Sequence, residues 1–135
     1  MPTRILLIDD DDLLRDAISD LLESEGYLVT TADNGTTGLT AFQADRPDLV
    51  ITDILMPERD GIETILSLAK ETPQPRIIAI SGGGGRLDSL SYLRMARGFG
   101  ADKILEKPFR AKVLLEAIEE VLALGARTAD DPAGG

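Results

Sequence analysis

Short apolar runs alternate along this chain with longer segments in which apolar residues recur at helical spacing. The runs Arg4 to Ile8, Leu49 to Thr52 and Arg76 to Ile80 are almost continuously apolar, which is typical of strands buried on both faces. A β-rich run covers Tyr27 to Thr31, and a brief one covers Lys103 to Leu105. The pattern therefore predicts five strands of a parallel sheet.

Helices are predicted between these strands. Their apolar positions run from Leu13 to Leu22, around Leu39 and Phe42, from Ile62 to Ala69, from Leu87 to Arg97 and from Ala111 to Leu124. Gly26 is expected to end the first helix, and Asn34 to cap the second. Strands and helices that alternate through short connections predict an α/β fold, a (βα)5 doubly wound sheet covered on both faces. We predict one domain over residues 1–124 and a disordered tail over residues 125–135, which has too few apolar side chains to be buried.

Polar residues stand where the predicted strands end. They are Asp9 and Asp10 after the first strand, Asp53 after the third, Ser81 after the fourth and Lys107 after the fifth. Parallel strands bring their carboxyl ends to one edge of the sheet, so these groups are predicted to converge. Two carboxylates about 5 Å apart repel by roughly 3 kcal/mol at an effective dielectric near 20. A lysine or a divalent cation would relieve that repulsion, and carboxylate oxygens suit Mg2+ or Mn2+.

Composition narrows the possible functions. The chain has 135 residues and a net charge of −10, which disfavours direct contact with nucleic acid. It has no histidine, so a phosphohistidine or an imidazole base within the chain is excluded. No long apolar run or signal-peptide pattern is present, which predicts a cytoplasmic protein without membrane insertion. The glycines at 82–85 fit no nucleotide-binding pattern and predict a flexible loop.

Four motifs occur together in one order: LLIDDD at Leu6–Asp11, DLVITDILMPERDG at Asp48–Gly61, IIAISG ending at Gly82, and KPF at Lys107–Phe109. With these motifs, the region from Arg4 to about Leu124 resembles a receiver domain of bacterial two-component response regulators, of the chemotaxis-regulator type. The resemblance implies a flavodoxin-like sheet with strand order 2-1-3-4-5. It also implies a signalling protein that is not an enzyme, beyond catalysing its own phosphorylation and dephosphorylation.

The resemblance implies a Mg2+ site, with Mn2+ as a possible substitute. Asp10 and Asp53 would bind the ion through their carboxylates, and Leu55 would contribute only its backbone carbonyl. Asp9 would act mainly through a metal-bound water.

The resemblance also implies how phosphate is received. Asp53 would be the phosphoacceptor, with a sensor histidine kinase or a histidine phosphotransfer protein as the phosphate donor. Lys107 would pair first with Asp53 and then with the phosphoryl oxygens, and the Lys107–Pro108 bond would be cis. Ser81 would offer its hydroxyl to a phosphoryl oxygen. Since no effector domain follows, a single-domain regulator would act through contacts with an output protein, a phosphorelay step or competition for phosphate, and the sequence does not identify which.

Ile104 departs from the family pattern, because many receivers carry an aromatic switch residue at that position. An aliphatic side chain cannot reproduce the aromatic movement, so a degenerate receiver that acts as an unphosphorylated scaffold is one alternative. A Mg2+-dependent phosphohydrolase of the haloacid-dehalogenase type is another, since Asp9 and Asp11 imitate its DxD motif. The basic residues near the last strands are predicted to be solvated, with a partner surface as the alternative; they are Arg94, Arg97, Lys103, Arg110 and Lys112.

Overall fold

The structure is a computed structural model that describes residues 2–54, 61–81 and 100–125. Its strands are β1 (Arg4–Ile8), β2 (Leu28–Ala32), β3 (Leu49–Asp53), β4 (Arg76–Ser81) and β5 (Lys103–Glu106). Its helices are α1 (Asp12–Ser24), α2 (Gly35–Ala44), α3 (Gly61–Ala69) and α4 (Ala111–Leu122). The helix predicted from Leu87 to Arg97 and the tail beyond Gly125 lie outside the described residues.

The five strands form one parallel sheet in the order β2-β1-β3-β4-β5, as predicted. The register pairs Ile8 with Thr52, Asp53 with Ile80 and Ser81 with Glu106. Consecutive strands therefore end at nearly the same level, and the residues that follow them share one edge of the sheet.

Both faces of the sheet are buried, which explains the nearly continuous apolar runs of the central strands. One face packs beneath α2 and α3, where Ile8 and Val50 join Phe42, Ile65 and Leu68 in one apolar cluster. The opposite face packs beneath α1 and α4, and its cluster contains Leu7, Ile51, Ile80, Ile18, Leu22, Leu114 and Ile118. Successive residues of a strand thus serve opposite layers.

Most predicted element ends agree with the structure, and the differences are small. Strand β2 is shifted by one residue from the prediction, to Leu28–Ala32, and α4 ends at Leu122 rather than Leu124. Asn34 caps α2, as predicted, because its side-chain oxygen accepts a hydrogen bond of 2.9 Å from the Thr37 N–H. Gly26 follows α1 with φ of 92°, a conformation that favours glycine at a helix end. None of the helices in the three described ranges is long and apolar enough to cross a membrane.

Gly38 lets α2 approach the sheet closely. A Cβ atom at this position would lie 2.4 Å from Cδ1 and 2.9 Å from Cγ1 of Ile8. Glycine lowers the helix propensity of α2, but any larger residue would have to displace the side chain that precedes Asp9. The need for close packing therefore outweighs local propensity here.

A buried ion pair lies at the amino-terminal edge of the sheet. Nη1 of Arg76, at the start of β4, donates a hydrogen bond of 3.0 Å to Oδ1 of Asp102, and both side chains are under one-tenth exposed. Oδ2 of Asp102 accepts a hydrogen bond of 2.8 Å from the Ile77 N–H. The same arginine donates to the carbonyls of Leu124 and Gly125, at 3.4 and 2.8 Å. It thereby joins the sheet to the end of α4.

Candidate functional site

Two buried carboxylates lie at the carboxyl-terminal edge of the sheet. Asp53 is the last residue of β3, whose five residues are all buried, and Asp9 directly follows β1. The two residues are 4% and 0% exposed, whereas the neighbouring Asp10 is exposed. One oxygen from each of Asp9, Asp10 and Asp53 lies within 4.8 Å of the others. The adjacent central strands thus bring together groups that are 43 residues apart or more in sequence.

Lys107 follows β5 and reaches across the edge to both buried carboxylates. Its Nζ donates hydrogen bonds of 2.7 Å to Oδ2 of Asp53 and 3.3 Å to Oδ2 of Asp9. The following Lys107–Pro108 bond is cis, as predicted. Among the described residues, one ammonium group therefore contacts two of the three clustered carboxylates, and these four side chains together have an excess of negative charge.

Asp9 is held on several sides. Its N–H donates a hydrogen bond of 3.1 Å to the Ala32 carbonyl, which ties it to the end of β2. Its Oδ1 accepts a hydrogen bond of 2.9 Å from the Asp11 N–H. Its carbonyl oxygen accepts one of 2.8 Å from Nη1 of Arg15. The carboxylate is therefore fixed beside Asp53 rather than left mobile in a loop.

Burial raises the pKa of Asp9 above its ordinary value, and the nearby charge of Asp53 adds to that effect. The Asp11 N–H and the Lys107 ammonium oppose the rise without cancelling it. Burial alone would lower the pKa of Lys107, but its hydrogen bond to Asp53 and the charges of Asp53 and Asp9 outweigh burial and raise it. The lysine consequently stays positively charged, while Asp9 gives up its proton less readily than an ordinary aspartate.

Asp11, the last residue of the first motif, and Asp12, which follows it, both act on α1. Oδ1 of Asp11 accepts a hydrogen bond of 3.1 Å from the Leu14 N–H and caps the helix. Asp12 lies in the first turn, where its side chain accepts a hydrogen bond of 2.6 Å from Nη2 of Arg15. Sequence reasoning missed Arg15, although its position three residues after Asp12 is a usable signal for an ion pair on a helix.

The donor set fits a hard divalent cation. Asp9, Asp10 and Asp53 supply carboxylate oxygens, which Mg2+ and Mn2+ prefer, at one partly open edge. Mg2+ characteristically retains several waters, and the exposure of Asp10 leaves room for them. Leu55, for which sequence analysis expects a backbone ligand, lies outside the described residues.

The remaining predicted residues are only partly described. The backbone of Ser81 ends β4 opposite Glu106, at the same edge as Asp53, while the Ser81 side chain lies outside the described part of the chain. Ile104 of β5 is half-buried and packs against the apolar cluster beneath α2 and α3. Lys103 pairs with Glu120, and Lys112 lies 3.9 Å from Glu116. For these two lysines the contacts agree with the predicted solvated face.

A family model for the response regulator receiver domain matches residues 5–119 of the chain. The match covers all the described strands and helices except the first residue of β1 and the end of α4. Together with the sheet order and the acidic edge, it shows that the chain belongs to the response regulator receiver domain family.

Individual relatives agree with this assignment. The chain is 35% identical over 120 residues to the transcriptional regulatory protein CseB of Streptomyces coelicolor, in a match covering 89% of this chain and 49% of CseB. It is 36% identical over 119 residues to the transcriptional regulatory protein CpxR of Escherichia coli K12, covering 88% and 49% of the two chains. The crystal structure of a response regulator receiver domain protein from Clostridium thermocellum matches with a TM-score of 0.81 and 34% identity, covering 90% of this chain and 95% of that one. The chain thus spans about half the length of CseB and CpxR.

Proposed function

We propose that this receiver accepts a phosphoryl group on Asp53 from a phosphohistidine of a sensor histidine kinase or a histidine phosphotransfer protein. A carboxylate oxygen of Asp53 forms the new O–P bond as the N–P bond of the donor breaks. The bonding electron pair of that N–P bond returns to the donor's imidazole ring. A phosphohistidine donor must lie outside this chain, because the chain contains no histidine. The chain acts on itself only, by catalysing its own phosphorylation and dephosphorylation.

The observation that carries this proposal is the contact of Lys107 with two buried carboxylates. Its Nζ lies 2.7 Å from Oδ2 of Asp53, so a phosphoryl group on Asp53 would be received beside a fixed positive charge. That charge stabilises negative charge as it builds on the phosphoryl oxygens, without any proton transfer. We assign Ser81 the role of a hydroxyl donor to a phosphoryl oxygen, since its backbone ends the next strand at the same edge.

Asp9, Asp10 and Asp53 would hold Mg2+, with Leu55 contributing its carbonyl. The bound ion would supply electrostatic neutralisation where one anion approaches another. Asp10 and Asp53 are assigned direct contact with the ion, and Asp9 contact through a water. The protein's own contribution is to fix these carboxylates and to limit the access of water, since Asp9 and Asp53 are nearly inaccessible.

The phosphorylated receiver would signal through contacts with another protein surface, as a single-domain regulator or within a longer chain. CseB and CpxR carry the name of transcriptional regulators, and this chain spans about half of each. With its net charge of −10, the receiver itself is not proposed to bind nucleic acid directly. Ile104 stands at the usual aromatic position and packs against the apolar cluster beneath α2 and α3, so we propose a response that does not use an aromatic switch.

The phosphohydrolase alternative is weakened by Asp11. A DxD motif would need Asp9 and Asp11 in the same site, but the side chain of Asp11 caps α1 instead. The unphosphorylated scaffold remains the competing hypothesis, because the carboxylate cluster and Lys107 alone would also suit a purely structural ion pair.

The deciding experiment is intact-protein mass spectrometry after incubation with acetyl phosphate and Mg2+. We expect one phosphoryl adduct on the wild-type chain, and none on Asp53→Asn or on metal-free wild type. Asp20→Asn, which alters an exposed aspartate on α1, is the matched control and should keep the adduct. Absence of an adduct in wild type that binds Mg2+ but not beryllofluoride, which excludes a merely short-lived adduct, would favour the scaffold.

A further inference from the structure

Arg15 contacts the backbone of the acidic site itself. Its guanidinium donates one hydrogen bond of 2.8 Å to the Asp9 carbonyl and another of 2.6 Å to Oδ1 of Asp12. The side chain is only 15% exposed, so it lies along the β1–α1 connection rather than extending into solvent. Neither contact involves a carboxylate that we assign to the metal.

The Asp9 carbonyl belongs to the peptide group that joins Asp9 to Asp10. Asp9 is fixed independently, through its N–H on Ala32 and through both of its carboxylate oxygens. Asp10, in contrast, is exposed on the far side of that peptide group. A rotation of the peptide plane would redirect the Asp10 carboxylate while leaving Asp9 almost unmoved. The Arg15 hydrogen bond opposes that rotation.

We infer that Arg15 is a positioning residue for the divalent cation: it fixes the Asp9–Asp10 peptide and so aims the Asp10 carboxylate at the metal. The inference rests on the metal part of the proposed function and not on phosphoryl transfer. Asp12 supports the same arrangement from the other side, because it anchors the second nitrogen of the guanidinium.

Electrostatics and positioning make opposite predictions for this residue. A positive charge beside three carboxylates repels a cation, so its removal by charge alone would tighten Mg2+ binding. Loss of an outer contact that orients a metal ligand weakens binding, characteristically by about tenfold or more. Arg15→Met removes both the positive charge and the hydrogen bond that orients the Asp9–Asp10 peptide. Tighter Mg2+ binding by this variant would mean that charge repulsion dominates, and weaker binding would mean that positioning dominates. Arg15→Lys keeps the charge but lacks the planar, two-pronged donor.

The test is a Mg2+ titration of the full chain by isothermal calorimetry, without any phosphate donor. Arg4→Met is the matched control, since it removes an equal charge and an ion pair with Asp45 at the opposite end of the same strand. We expect Arg15→Met and Arg15→Lys each to raise the Mg2+ dissociation constant about tenfold, and Arg4→Met to leave it within about twofold. Urea unfolding of each variant shows whether stability changes in parallel.

A purely structural role would lower the stability of the Arg15 variants without changing their Mg2+ affinity, and this result would overturn the inference. Equal or tighter binding by Arg15→Met would overturn it as well. If Arg15→Met fails to fold, Arg15→Lys alone decides, because it preserves the charge. A wild-type chain that does not bind Mg2+ overturns this inference together with the metal assignment. Mg2+ binding without a phosphoryl adduct overturns phosphorylation alone.

Discussion

The two edges of the sheet each contain a buried ion pair, and the two pairs differ in charge balance. At the amino-terminal edge, Arg76 faces Asp102, one charge against one. At the carboxyl-terminal edge, Lys107 faces Asp53 and Asp9, with Asp10 close by. The Arg76–Asp102 pair and the Lys107 cluster lie between the same two helical layers. Burial alone therefore does not distinguish a structural ion pair from a candidate reactive site.

The Arg76–Asp102 pair and the acidic edge differ in the balance of charges among the described residues. Arg76 reaches Asp102 and two carbonyls at the end of α4, while Asp102 also accepts from a backbone N–H. The balanced pair is thus complete without a ligand, and its role is to join β4, the start of β5 and the end of α4. Among the described residues, the acidic edge has three clustered carboxylates and one lysine that contacts two of them, and burial raises the pKa of Asp9. An incomplete charge balance therefore marks the edge that is able to accept a cation.

The largest effect is expected at the balanced pair. Asp102→Ala leaves Arg76 buried without its carboxylate, and should lower the free energy of unfolding by about 3 kcal/mol or more. Asp102→Asn keeps a hydrogen-bonding side chain, so it should lower the free energy of unfolding by less than Asp102→Ala does. Urea denaturation measures both, and calorimetry should show unchanged Mg2+ affinity. A loss below about 1 kcal/mol for Asp102→Ala would mean that the pair is hydrated and not structurally important.

A smaller effect of opposite sign is expected at the acidic edge. Asp9→Asn keeps an acceptor for the Asp11 N–H but removes one charge, so metal-free protein at neutral pH should gain stability on the order of 1 kcal/mol. The wild-type pKa of Asp9 is raised, so the native state binds this proton more tightly than the unfolded chain does. Wild-type stability should therefore fall as pH rises from about 3.8 through the raised native pKa, and Asp9→Asn should flatten that slope.

Denaturation of metal-free protein across pH measures that slope, with Asp20→Asn on exposed α1 as the control. Lys107 contributes a dependence of the same sign in a separate, alkaline range, because its pKa is also raised in the native state. Its stabilisation should be complete below about 10.5 and lost as pH rises through the higher native value. An Asp9→Asn variant that is less stable than wild type at neutral pH would show that Lys107 already balances the cluster.

The smallest effect is expected for an ion pair outside both edges. Lys112 and Glu116 lie 3.9 Å apart on α4, and both side chains are more than half exposed. Lys112→Gln should change the free energy of unfolding by less than about 0.5 kcal/mol, since solvent and salt screen such pairs. Thermal denaturation at low and high salt provides the measurement. A clear loss of stability at low salt would contradict the view that balance and burial decide the importance of these pairs.

Much of the fold followed from local pattern. The apolar runs located β1, β3 and β4 to within a residue, because strands buried on both faces need apolar residues at almost every position. Strand β2 begins one residue later than predicted; it lies at the sheet edge, and only Ala32 of its five residues is buried, so its apolar pattern is weaker. In α2, Gly38 lowers the helix propensity. The presence of glycine there is explained by the close approach of Ile8, which lies thirty residues earlier in the chain.

By itself, the sequence determined the fold class, the strand order through the family resemblance, and the grouping of Asp9, Asp10, Asp53 and Lys107 at one edge. Those results depend on period and motif, which are local properties of the chain. Tertiary structure alone decided that Arg15 holds the Asp9 carbonyl and that Arg76 and Asp102 form a balanced buried pair. Such contacts depend on the distances between elements after packing and on what else shares each buried space, and no periodicity in the sequence encodes them.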